Sequence, residues 1–133
     1  MKKLLLLTGA FCFQLVLFAQ CDIIYVTTSG IPSGVGTMGD PMDINTAFTT
    51  VSSGELIRIG TGTYTIDNAL SIGFDDIIVE GGFDDFNSWE KTSLAGATTI
   101  TRSTLNPEGT INDYRLVAIY ANGISGFEIH DVT

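Results

Sequence analysis

ALSIGFDDIIVEGG, residues 69–82, and VAIYANGISGFEIHD, residues 117–131, follow one plan. A short apolar strand leads into a turn of Gly, Asn or Asp, a second short apolar strand follows, and the segment closes on Gly or Asp. The strands are short, and the turns lack strong two-residue hairpin signals. Pieces of this kind suit stacked coils, in which each unit covers its neighbour, better than a sandwich of hairpins. Two copies interrupted by loops do not define a period, so the rest of the chain has to supply the argument.

Working outward, the same texture continues. Ile23-Ile24-Tyr25-Val26-Thr27-Thr28 is strand-like by its β-branched and aromatic content. Leu56–Ile59, Thr63–Ile66, Leu70–Ile72, Ile77–Glu80, Thr98–Thr101, Leu116–Tyr120 and Ile124–Ile129 read as further short strands. In GTGTYTIDNALSI, residues 60–72, Gly60 and Gly62 supply a bend between two of them. One stretch is helical. Asp40 is the expected N-cap, Pro41 the first helical residue, and Asp43 adds negative charge to the first turn. Ile44, Ala47, Phe48 and Val51 then fall on one apolar face. Ser52-Ser53-Gly54 ends the helix, with Gly54 suited to a left-handed cap.

The ends and the composition bound the setting. Lys2 and Lys3, an apolar run from Leu4 to Phe18, and the small residue Ala19 form an export leader, so residues 1–19 are read as a signal peptide cleaved before Gln20. Leu17-Phe18-Ala19-Gln20-Cys21 loosely resembles a lipid-acceptor motif, although Gln directly before the Cys fits it poorly; a lipid anchor at Cys21 is the alternative. The apolar run is short for a membrane span, and no second one follows, so no transmembrane segment is expected in residues 20–133. Losing Lys2 and Lys3 moves the formal net charge from −9 to −11. A chain this acidic repels phosphate backbones, which excludes nucleic acid as a partner. Of the two cysteines, Cys12 lies in the leader, so neither an internal disulfide nor a cysteine-based zinc cluster is expected.

Taken together, IIYVTTSG, the Gly-rich loop with Asp40-Pro41, the short helix, SGELIRIGTGTYTI, ALSI, IIVEGGF and GISGFEIHDVT resemble the N-terminal part of secreted right-handed parallel β-helix proteins of the pectin-lyase-like kind, common on bacterial cell surfaces. The resemblance spans nearly all of residues 20–133. Its most specific parts are Gly60–Tyr64 after a strand, the Gly81-Gly82-Phe83 turn with Trp89 downstream, and the closing Phe127-Glu128-Ile129. It implies an all-β solenoid of about two to three coils with the amphipathic helix capping the first. Leu56 or Ile57, Ile59, Ile66, Leu70, Ile72, Ile77, Val79, Ile100, Leu116 or Val117, Ile119, Phe127 and Ile129 would face inward. No capping element follows Asp131-Val132-Thr133, so residues 20–133 are expected to be the first part of a longer protein.

Few residues suggest chemistry. GVGTMG, residues 34–39, matches a dinucleotide-binding pattern, but a gap separates it from the strand and the helix starts only after it; it reads as a surface loop. Asp75-Asp76 and Asp84-Asp85 could offer hard oxygen ligands to calcium, or be solvated turn residues. Trp89, with Phe83 and Phe86, could stack on a sugar ring or pin a loop against the sheet wall. His130 and Arg58 are expected to face outward. Arg58, Arg102 and Arg115 lie in no recognisable lyase motif, so no catalytic residue is assigned and no cofactor beyond calcium is suggested. The leading functional expectation is a non-catalytic, exported, adhesin-like or matrix-interacting scaffold on the cell surface or outer membrane, or secreted, meeting extracellular polysaccharide. The alternatives are the N-terminal part of a calcium-dependent polysaccharide lyase or hydrolase, or a carbohydrate- or calcium-binding module. N-terminal sequencing of the exported protein should begin at Gln20; a lipid-modified Cys21 at the terminus would establish the anchored alternative instead.

Overall fold

The computed structural model describes residues 22–94, 96–104 and 118–133. The leader, Gln20, Cys21, Arg115 and the expected inward position at Leu116 or Val117 lie outside these residues. Strand β1 (Ile23–Ile31) alternates as its sequence predicts: Ile24 and Val26 turn to the main core, Ile23 and Tyr25 to the opposite side. It runs three residues beyond the expected Thr28. Gly30 lies so close to the Met42 carbonyl oxygen that a Cβ would fall 1.9 Å from it, so this crossing admits only glycine. The Gly-rich loop then folds back along β1, where the Tyr25 N–H donates to the Gly36 carbonyl at 2.9 Å. An otherwise open strand edge is thereby covered.

Helix α1 (Ile44–Thr50) is shorter than expected at both ends. Its N-cap is Asp43, not Asp40. Asp43 is extended and its carboxylate accepts from Asn45 N (3.0 Å), Thr46 N (3.1 Å) and the Thr46 hydroxyl, satisfying two orphan backbone donors of the first turn. Asp40 instead accepts from Val35 N at 3.1 Å and closes the preceding loop. Pro41 therefore stands outside the helix, and Met42 bridges to Val26 and Ile31. At the other end Val51 is the C-cap; Gly54, with φ of 83°, occupies the following turn and donates to Asp75 O at 3.3 Å.

Among the described residues eight strands follow: β2 (Leu56–Gly60), β3 (Gly62–Ile66), β4 (Leu70–Ile72), β5 (Ile78–Asp84), β6 (Glu90–Lys91), β7 (Thr98–Arg102), β8 (Ile119–Ala121) and β9 (Glu128–His130). The first sheet joins β1, β2, β5 and β9 in parallel, with β6 antiparallel at the end of β5. A second parallel sheet pairs β3 with β7, and a third pairs β4 with β8. The chain thus visits the three sheets in order along β2, β3 and β4, revisits them in the same order along β5, β7 and β8, and returns to the first at β9. Among the described residues the architecture is all-β with parallel sheets and one short helix.

Register places like residues side by side. Ile24, Ile57, Val79 and Ile129 form one row across the first sheet. Ile57, Ile59, Ile66, Leu70, Ile72, Ile77 and Val79 are buried as expected, joined by Val26, Tyr64 and the helix residues Ile44, Ala47, Phe48 and Val51. Leu56 turns out to be the half-buried member of its pair, so Ile57 faces in. Ile100, Ile119 and Phe127 pack against this core while partly exposed. Ile129 differs: it belongs to the inward row but is 43% exposed, because among the described residues it pairs only with Val79 and has no strand neighbour on its outer side. The expected Gly81-Gly82-Phe83 turn is likewise part of a strand. β5 continues through it with a bulge, where the pairing jumps from Arg58–Glu80 to Gly60–Phe83. Thr98 stabilises that irregularity. Its wholly buried hydroxyl accepts from Gly82 N (2.8 Å) and donates to Gly60 O (2.9 Å).

Thr98→Val preserves shape but orphans the Gly82 N–H, whereas Gly60 O keeps the Tyr64 hydroxyl at 3.0 Å. The substitution should lower stability by about 1–3 kcal/mol in urea unfolding, with Thr98→Ser close to wild type. Equal stability of all three would contradict this role.

Candidate functional site

The outward row of the first sheet brings polar and aromatic side chains together. Tyr25, Arg58, Glu80 and His130 lie in register on successive strands, on the face opposite the Ile57 row. Alternation alone predicts the outward turn of Arg58 and His130. The segment between β5 and β6 folds back over this face. Trp89 is 7% exposed and meets Tyr25 edge-on, with ring centroids 4.7 Å apart. Trp89 and Ser88 both take positive φ (58° and 53°), and the Trp89 N–H donates to Asp84 O at 3.0 Å, fixing the return. Trp89 therefore pins its loop to the sheet. Phe86, at the tip of the same loop, is 95% exposed, so the two stacking candidates are held apart in role: one buried, one free in solvent.

Phe83 lies between two cations. The Arg58 guanidinium and the Lys91 ammonium each sit 4.9 Å from its ring centroid. Lys91 also bonds Glu80 at 2.5 Å and Asp131 at 2.8 Å, so one side chain of β6 ties β5 to the turn after β9. Partial burial works against the Lys91 charge, but its bonds to Asp131 and Glu80 outweigh that and raise its pKa. The hydrogen bond and charge of Lys91 hold the Asp131 carboxyl below the ordinary carboxylate range. His130 pairs with Glu128 at 3.0 Å, and both are solvent-exposed. The Arg58 Nε is shut off from solvent without a hydrogen-bond acceptor among the described residues. Beside this group, Gly82, Lys91, Thr92, Leu94, Asp131 and Thr133 border a cleft of about 500 Å³. Sequence reading missed Lys91 and Asp131 because their partners come together only through register; the one available signal was that Lys91 is the sole lysine after the leader.

The two aspartate pairs are not brought together. Asp75-Asp76 stands just before β5 and Asp84-Asp85 at its far end, roughly 20 Å away at the rise of a strand. Asp75 and Asp76 clamp a corner: Asp75 Oδ1 accepts from Ser125 N (2.8 Å), and Asp76 N donates to Ser125 O (2.9 Å). Asp76, with φ of 58°, packs so closely under Gly126 that a Cβ there would lie 2.1 Å from its Oδ1. Asp84 Oδ1 accepts from Phe86 N at 3.1 Å within its own loop. Asp85 lies near Tyr64, whose hydroxyl pKa is pushed up first by burial and then by that carboxylate. Among the described residues no three His, Cys, Asp or Glu side chains converge as metal ligands, and no helix is long and apolar enough to cross a membrane.

A 49-residue stretch, 37% of the chain, is 43% identical to pectate lyase L of Thermoclostridium stercorarium. The match covers 4% of that protein, so the chain corresponds to only a small part of its length. No family model matches the chain, and no solved structure matches it.

The Lys91–Asp131 contact sets a titration. The stability it contributes is present above the ordinary carboxylate range and is lost as pH falls through the lowered Asp131 pKa. In Lys91→Met, the Asp131 carboxyl followed by NMR should titrate at a higher pH than in wild type. An unchanged midpoint would remove Lys91 as its partner.

Proposed function

We propose that residues 20–133 form the N-terminal cap and first two to three coils of an exported, right-handed parallel β-helix protein of the pectin-lyase-like kind, acting at extracellular polysaccharide as a binding scaffold rather than as the catalytic part. The observation that carries the reading is the repeated visit to three parallel sheets in the same order, with Ile24, Ile57, Val79 and Ile129 stacked in one row. In such a solenoid α1 and the Gly36 loop cover the first coil, and the exposed Ile129 on the free side of β9 is where a further coil would stack. The local likeness to a pectate lyase supports a polysaccharide partner. The outward face supports binding over catalysis. Its lysine is held by two carboxylates, its tryptophan is buried, and its aspartate pairs are spent on turns or set far apart. The basic and apolar residues of the leader, Lys2 to Ala19, support export to the cell surface or the medium.

One specific observation favours a second reading. The Nε of outward-facing Arg58 has no hydrogen-bond acceptor among the described residues, a polysaccharide lyase needs a basic side chain to abstract a proton, and further coils would then complete an enzyme. The full chain should be incubated with polygalacturonate and calcium, and unsaturated product followed by ultraviolet absorbance alongside retention on polygalacturonate and on neutral polysaccharides. Retention without product is the expected result; product formation that Arg58→Ala abolishes would replace the scaffold with the enzyme.

A further inference from the structure

The second sheet carries an array that the first-sheet chemistry does not use. Tyr64 and Ile66 of β3 turn inward, which leaves Thr63 and Thr65 exposed on the outer face. Thr98 and Ile100 of β7 likewise turn inward, leaving Thr99 and Thr101 outward. Parallel register sets Thr63 beside Thr99 and Thr65 beside Thr101. The ladder then continues: Thr133 N donates to Thr98 O (3.0 Å) and Ile100 N to Thr133 O (2.9 Å), which places exposed Thr133 next to Thr99. One row therefore holds Thr63, Thr99 and Thr133, and a second holds Thr65 and Thr101. Of these, Thr99 alone has a side-chain bond among the described residues, to Gly96 O at 3.3 Å. On the β3 side the array runs into a groove of about 170 Å³ lined also by Thr27, Thr28 and Asn45. Asp43, the nearest charge there, is already consumed by the helix cap.

We infer that this threonine array is a binding track for a neutral, extended polysaccharide running across the strands, one sugar unit per coil. The inference rests on the polysaccharide reading above and names the class and face that it leaves open. Neighbouring strands repeat at about 4.8 Å, close to the repeat of an extended pyranose chain, so sugars at the β3 and β7 levels meet equivalent pairs of hydroxyls and a third meets Thr133. Each threonine hydroxyl both donates and accepts, matching a partner made of hydroxyls, and each methyl covers a ring C–H edge. Neither row itself holds a cation to pair with the carboxylates of a polyuronate, so its hydroxyls fit a neutral chain. Contacts of this kind are individually weak and gain by repetition along the stack.

The test uses the full chain in pull-down and affinity electrophoresis against an unsubstituted β-1,4-glucan and a β-1,4-mannan, with polygalacturonate in parallel. Thr65→Asp with Thr101→Asp changes two exposed positions, and Thr65→Ser with Thr101→Ser keeps the hydroxyls; circular dichroism confirms that both remain folded. Wild type should be retained on at least one neutral polymer, the Asp variant about tenfold more weakly, as loss of one or two hydrogen bonds predicts, and the Ser variant nearly as wild type. Retention of the Asp variant equal to wild type overturns the track. Binding of polygalacturonate alone, lost in Arg58→Ala, also overturns it while leaving the polysaccharide reading intact. Binding to no polysaccharide defeats both.

Discussion

Parallel, in-register stacking of aliphatic side chains is the constraint on which the rest depends. Ile57 of β2 lies between Ile24 and Val79, and every other placement follows from that alignment. Burial of each such side chain contributes about 1.5–3 kcal/mol, against strands too short to be stable alone. Because side chains alternate, inward alignment of this row also aligns the outward one, and a slip by a single residue would exchange them. Tyr25, Arg58, Glu80 and His130 are therefore neighbours as a consequence of the core, not through any attraction of their own.

The bulge in β5 is where the regular stack yields to a site. Pairing across Arg58 and Gly60 shifts, and Gly81 and Gly82 let the strand pass beneath Asp131 and beside Thr98. Phe83 is thereby turned outward between Arg58 and Lys91, and the loop closed by Trp89 settles over the face. Isolated surface ion pairs contribute little to stability. The Glu80–Lys91–Asp131 set matters more as a geometric tie between two levels of the stack. The second sheet is plainer, and its regularity leaves equivalent hydroxyls at equivalent heights.

Much of the fold was legible because period-two alternation is strong in Leu56–Ile59, Thr63–Ile66 and Leu70–Ile72, and because Ile44, Ala47, Phe48 and Val51 can share only a helical face. Sequence alone does not place the cap, because Asp40 and Asp43 are both competent N-caps; Met42 joining the β1 edge decides between them. In sequence Gly81-Gly82 reads as a turn, since a bulge and a turn ask for the same residue. Trp89 and Phe86 looked alike in sequence, yet one is clamped under positive φ and the other hangs at the loop tip. The aspartate pairs are near in sequence but separated by the length of β5, which spacing alone does not reveal. Lys91 and Asp131 meet only through pairing distant along the chain.

The central claim is that successive units stack in parallel instead of folding as hairpins. Solution NMR on a methyl-labelled sample tests it most directly. Close contacts between the Ile57 and Val79 methyls, with sequential parallel cross-strand contacts from Leu56–Ile78 to Arg58–Glu80, are predicted. Cross-strand contacts of antiparallel type between Leu70–Ile72 and Ile77–Val79, with none between Ile57 and Val79, would contradict the account.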